Sequence, residues 1–139
     1  MTKKREFLSV FILGALMYGL LEIIWRGYTH WSMLITGGVC FLVLYVIAPL
    51  SVSPLMKALY GSAFITLTEL VVGILVNIVW GLDVWDYSDM PYNLFGQISF
   101  LYSAYWFILS FAAIPICRAL RKRLTQKRAY SNSAISHIQ

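Results

Sequence analysis

Charge is what this chain lacks first. Only 12% of its 139 residues are Asp, Glu, Lys or Arg, where a soluble domain carries about a quarter. With 60% hydrophobic residues and a mean hydropathy of +0.73, that deficit excludes an ordinary water-soluble globule and makes lipid the solvent. Cysteine is nearly absent as well. Cys40 and Cys117 fall in different apolar runs at different depths, which predicts free thiols and no disulfide. Histidine is equally scarce: His30 and His137 stand far apart, so no zinc or iron cluster can be assembled from them. His30, beside Trp31, reads as a solvated turn residue. No Ser-His-Asp or Cys-His arrangement is readable, and no G-x-x-x-x-G-K-[ST] loop occurs for ATP phosphates. The reading therefore assigns no catalytic residue, no metal and no cofactor.

What is present is a set of four apolar stretches, Phe7 to Trp25, Met33 to Leu50, Ala58 to Trp80 and Leu94 to Cys117. Each is near the roughly 20 residues that cross about 30 Å of hydrocarbon as a helix. None alternates as a barrel strand would, and in lipid the backbone must pair within its own segment. The fold class predicted is all-α: a polytopic membrane protein with four transmembrane helices and both termini cytoplasmic. Residues 1–117 form the four-span domain, and residues 118–139 a basic cytoplasmic tail, partly disordered at its YSNSAISHIQ end. The start, Lys3-Lys4-Arg5 before an apolar run, imitates a secretory signal, but the run continues through Glu22 and Trp25 without a small-residue exit and reads as a retained anchor.

The distribution of charge sets the orientation. With the N-terminus inside, ten of the eleven basic residues lie on inner segments, leaving Arg26 outside, while Asp83, Asp86 and Asp89 occupy the outer loop. Trp25, Trp31, Trp80, Trp85, Tyr87 and Tyr92 are expected at the outer interface as an aromatic belt. The net charge of +5 is concentrated at the chain ends rather than interleaved with a soluble fold. The partner it implies is anionic lipid at the inner face, not nucleic acid.

Glu69 is the most informative residue. It lies halfway along the third stretch, where a carboxylate costs a few kcal/mol and should face protein or water. Ser62, Thr66, Glu69, Gly73, Asn77 and Trp80 follow helical spacing and form one polar stripe. Two roles fit: a proton, ion or substrate site, or a hydrogen-bonded group tying helices together where Gly73 allows close approach. Glu22 and Arg26 form an i, i+4 pair with Tyr18 a turn earlier; they either neutralise each other or hold a fixed cation toward an anionic group. The segment GLDVWDYSDMPYNLFG, residues 81–96, is too aromatic for a solvated linker and carries Asp86, Asp89 and Asn93 as oxygen ligands, but without EF-hand spacing. Trp85, Pro91 and Gly96 mark it as a structured cap, either binding a solute or closing the outer end. In the fourth stretch Ser99, Ser103, Trp106 and Ser110 share a face, with Gln97 nearby, as helix–helix glue or pore lining.

Two blocks, LLEIIWRGYTHWSM at residues 20–33 and ELVVGILVNIVWGLDVWDYSDMPYNLFGQISF at residues 69–100, resemble the bacterial CmpB-like, ABC-transporter type IV membrane proteins. Glu69, Gly73, Trp85, Asp86, Tyr87, Ser88, Pro91, Asn93 and Gly96 carry the more specific part of the likeness; Glu22 and Arg26 match a shorter E-x-x-x-R signal. The resemblance implies a permease-like role in the bacterial inner (cell) membrane and a separate ATPase subunit as partner, for which only the loop around Lys57 and the basic tail offer contact. Four short helices enclose little volume, so a homo-oligomer is expected. The leading function is thus a small transport component moving or gating a small solute or ion. The candidate site residues are Glu69, Asn77, Glu22, Arg26, Asp86, Tyr87 and Asn93. A non-catalytic scaffold or sensor subunit is the second reading. A membrane enzyme acting on a lipid-linked substrate through Asp86 or Tyr87 with Arg26 is the third.

Overall fold

The computed structural model describes residues 2–136 and contains four helices, α1 (Lys3–Arg26), α2 (Trp31–Ile47), α3 (Pro54–Gly73) and α4 (Phe100–Ser136). Local chemistry sets their ends. Thr2 caps α1 by accepting from the Arg5 amide, and Gly27 ends it in the left-handed region at φ 82°. The His30 side chain accepts from the Ser32 amide to start α2, so this histidine is a helix cap. Ser53 caps α3 by accepting from the Met56 amide, with Pro54 at the first helical position. Three helical stretches, Lys3–Arg26, Pro54–Val79 and Phe100–Ser131, are long and apolar enough to cross a membrane; Trp31–Ile47, with 17 residues, is shorter.

Beyond Gly73, α3 continues as a π-helical segment, Ile74–Val79. Wider turns change which face each residue occupies. Trp80 therefore leaves the polar stripe and is 56% exposed. The chain then crosses to α4 through residues 80–99, pinned by the two-residue antiparallel strands β1 (Asn93–Leu94) and β2 (Ile98–Ser99). The fourth helix thus starts at Phe100 rather than Leu94, and Ser99 caps it by accepting from the Tyr102 amide. At its other end α4 passes Cys117 without a break. The basic stretch and the segment expected to be disordered are helical as far as Ser136, and that expectation for residues 137–139 lies outside the described residues.

The helices run alternately up and down: Glu6, Tyr45, Ala48, Lys57 and Arg128 gather at one pole, the terminal pole, and residues 80–99 cover the other, where Arg26 meets Val84. α1 packs on α2 through glycine. A Cβ on Gly14 would stand 2.3 Å from Phe41 Cβ, and one on Gly37 2.3 Å from Tyr18 Cβ, the close approach that apolar solvent favours between helices. α3 and α4 are joined by hydroxyls, with Ser62 donating to the Ser103 carbonyl at 2.9 Å and Thr66 to Ser103 Oγ at 3.0 Å. Large apolar side chains face outward all round, among them Leu16, Ile24, Leu67 and Ile108. In water this would be an aggregation surface; in hydrocarbon it is the solvated one. Cys40 and Cys117 are buried free thiols.

Candidate functional site

Glu69 is 3% exposed, and the π-helical segment begins shortly after it. Its Oε1 accepts from the Tyr87 hydroxyl at 2.9 Å and its Oε2 from Trp106 Nε1 at 3.0 Å. The carboxylate of α3 is thus held by one donor from the cap and one from α4. Among the described residues the ion pairs are Arg26–Glu22 and Arg128–Glu6, so Glu69 has no cation beside it.

The cap is fastened to α3 just beyond. Gly73 leaves room for it, since a Cβ there would meet Gln97 Oε1 at 2.6 Å and Trp85 Cζ2 at 2.9 Å. Asn77 then donates to Gln97 Oε1 at 2.7 Å and accepts from the Val84 amide at 2.7 Å. Trp85 Nε1 donates to the Gln97 carbonyl at 2.9 Å. Trp85 is buried and Tyr87 half-buried, so neither belongs to the expected interfacial belt; both turn inward, because each has a polar partner inside. Trp25, Trp31 and Tyr92 stay exposed.

The tip of the cap holds itself. Asp86 Oδ1 accepts from the Ser88 amide at 2.8 Å and the Ser88 hydroxyl at 2.5 Å, and these donors hold its carboxyl below the ordinary aspartate range. Asn93 donates to the Ser88 and Met90 carbonyls and accepts from the Gly96 amide. Gly96 adopts φ 68°, and a Cβ there would lie 2.5 Å from Ser88 Oγ. Asn93 and Gly96 are therefore occupied in shaping the turn, and Pro91 lies exposed at its tip.

Glu22 and Arg26 sit across from the cap on α1. Arg26 Nη2 is 3.0 Å from Glu22 Oε1, Nη1 donates to the Val84 carbonyl at 2.7 Å, and the guanidinium lies 4.6 Å from the centre of the Tyr28 ring. Glu22 Oε2 accepts from Thr29 at 2.6 Å. The pair thus neutralises itself and also ties α1 to the cap.

Between α1 and α4, beneath the cap, lies a cavity of about 690 Å³ whose walls include Glu22, Arg26, Trp85, Asp86 and Tyr87. A second of about 170 Å³, lined in part by Glu69, Cys40 and Ser110, lies deeper among the four helices. Tyr18 and Trp106 border both, with ring centres 6.0 Å apart. Of the sequence candidates, Glu22, Arg26, Asp86 and Tyr87 converge on the upper cavity and Glu69 on the lower. Asn77 and Asn93 border neither.

Reading the sequence did not single out Trp106 as the partner of Glu69, 37 positions away; only its place on the serine face hinted at it. It also missed a cluster at the terminal pole. Glu6 is 5% exposed, accepts from the Tyr45 hydroxyl at 2.5 Å and pairs with Arg128 at 3.0 Å. Nearby, Lys57 Nζ and Arg118 Nε both donate to the Ala48 carbonyl, at 2.8 and 3.1 Å. Cations thus cover the free carbonyls and negative dipole end of α2.

Comparison with known proteins agrees with this picture at the level of the family. The profile of the family described as "Putative ABC-transporter type IV" matches residues 10–138, nearly the whole chain. Among curated proteins and among solved structures none matches the chain.

Proposed function

The chain belongs to the ABC-transporter type IV family, and from that premise we propose that this membrane protein is a small, permease-like transport component that moves or gates a small solute or ion. The observation that carries the reading is Glu69: a carboxylate midway along a membrane-crossing helix, without a cation, at the wall of a cavity and behind the Tyr18–Trp106 pair from a second. Intramembrane acids are costly and mark solute or proton pathways. In this reading Glu69 is the intramembrane polar site, Tyr87 and Trp106 set its orientation, and the W-D-Y-S cap is an outer gate. Asn77, Gln97 and Asn93 hold the gate in shape rather than touching the solute.

The positive-inside distribution supports placing the terminal pole in the cytoplasm of the bacterial cell and the cap outside. Anionic lipid then meets the basic part of α4, and a separate ATPase subunit would dock at that pole, beside Lys57 and α4. A scaffold role is favoured by one specific observation, that both groups of the Asn77 amide are consumed within the fold.

Proteoliposomes under an imposed proton or potassium gradient separate the two. The transport reading expects flux above protein-free liposomes, falling toward that baseline in Glu69→Gln while the protein still elutes as one folded species. No flux from the wild type, or the same flux from Glu69→Gln, would refute it.

A further inference from the structure

The upper cavity has a chemical character that the proposed function leaves unused. At about 690 Å³ it is within the range of small-molecule sites. Ile24, Trp25 and Ile108, which line it between α1 and α4, are exposed on the apolar flank, so that side suits a ligand that is itself largely apolar. Its inner wall is aromatic. Tyr87 and Tyr102 stack with ring centres 4.4 Å apart, Tyr105 stands edge-on to Tyr102 at 5.7 Å, and Trp106 lies 6.5 Å from Tyr102.

The charge on that wall is negative. Among the described residues Arg26 is the one basic residue lining the cavity, and Glu22 compensates it at 3.0 Å. Its Nε and Nη2 are buried without a hydrogen-bond partner, Nη2 facing Glu22 Oε1 at 3.0 Å, and Nη1 donates to the Val84 carbonyl, so an anion in the cavity reaches neither Nε nor Nη2. Asp86 is exposed, with Ser88 occupying one of its oxygens. That leaves one uncompensated carboxylate at the rim of an aromatic box. Ring faces attract cations, most strongly those with little hydration to lose.

We propose that this cleft binds lipophilic cations, a delocalised or quaternary charge on an apolar body, which enter between α1 and α4 and seat the charge between the Tyr87–Tyr102–Tyr105 rings and Asp86. As the identity of the transported solute this rests on the transport reading; as a binding site it rests on the cavity alone.

The test is equilibrium dialysis of the full chain in a neutral maltoside detergent, with tetraphenylphosphonium as probe and tetraphenylborate, of the same shape and opposite charge, as control. Saturable binding of the phosphonium is expected, with much weaker binding of the borate. Asp86→Asn and Tyr105→Ala should each weaken the phosphonium by about three- to tenfold, the worth of one ion or cation–π contact. Tyr105 is an exposed ring on α4, so its removal spares the fold even if Asp86→Asn loosens the cap. Absence of saturable binding by the folded wild type overturns the inference, as do equal binding of the borate or unchanged affinity in both variants. Dialysis needs no transport. Phosphonium binding without flux in proteoliposomes would remove only the transport reading, and Glu69-dependent flux without phosphonium binding would remove only this one.

Discussion

Replacing Gly73 by alanine adds one methyl group at the joint between α3 and the cap, and its consequence follows from distances. The new Cβ would stand 2.6 Å from Gln97 Oε1, 3.0 Å from Gln97 Cβ and 2.9 Å from Trp85 Cζ2. To reach ordinary contact, Gln97 Oε1 must retreat by about 0.8 Å, and it is the acceptor that Asn77 holds at 2.7 Å. Overpacking of this kind costs about 1–3 kcal/mol, and a weakened buried hydrogen bond adds about 1 kcal/mol. Alanine's better helix propensity offsets about 1 kcal/mol, so a net loss of about 1–3 kcal/mol is expected. Gly81→Ala is the control: its φ of 63° strains an L-residue, but nothing lies within 4 Å of the added carbon. Stability alone does not separate the two, since left-handed strain costs about 1–2 kcal/mol. Fluorine NMR of 5-fluorotryptophan protein does, because the chain has five tryptophans and the Trp85 resonance can be assigned with Trp85→Phe. Gly73→Ala should move that resonance and Gly81→Ala should leave it in place. A Gly73→Ala protein of wild-type stability with an unmoved Trp85 signal would refute the close-approach argument.

Two further outcomes follow from the ion pairs. Arg26→Gln strands the Glu22 carboxylate, whose side chain is 10% exposed, and should cost about 3–5 kcal/mol in mixed-micelle denaturation; Glu22→Gln combined with Arg26→Gln should recover part of that loss, and a double variant no better than the single would count against the pairing. Arg128→Gln frees α4 from Glu6, and trypsin should then cut between Arg118 and Lys127 about several-fold faster; an unchanged cleavage rate would mean that the ion pair does not hold the helix down.

The helices were legible because run length is a direct consequence of membrane thickness, and the Glu69 face because a regular α-helix repeats every 3.6 residues. The stripe held from Ser62 to Asn77 and failed at Trp80, where the π-helical segment changes the repeat; apolar periodicity carries no mark of that change. Trp85 and Tyr87 were assigned to the lipid interface because composition alone does not distinguish a belt aromatic from one whose polar atom has a buried partner. Only the positions of Gln97 and Glu69 decide it. Glu6 follows the run Lys3-Lys4-Arg5 with no local mark of its burial, because its partners lie 39 and 122 positions away. The cavity between α1 and α4 is a property of what fails to pack, which no single segment encodes.

The location of that cavity follows from how the seams are made. Backbone contact at Gly14 and Gly37 cements α1 to α2, and hydroxyl bonds join α3 to α4. α1 meets α4 through clamps at the two poles, Glu6–Arg128 at one and Arg26 with the Val84 carbonyl of the cap preceding α4 at the other. Between the clamps the two helices meet at the Tyr18–Trp106 ring contact and through the buried core that Val10 shares with Ile114 and Cys117. Trp106 is the ring that Glu69 Oε2 holds. Tyr18 and Trp106 border both cavities, together with Leu21, Met33 and Leu109; on the proposed transport reading, Glu69 would therefore act on passage through the tryptophan as well as through its own charge. Trp106→Phe keeps an aromatic ring, smaller than the indole, and removes the donor, so it should alter proteoliposome flux in the same direction as Glu69→Gln. A variant that left flux at the wild-type level would show that Glu69 acts without the tryptophan.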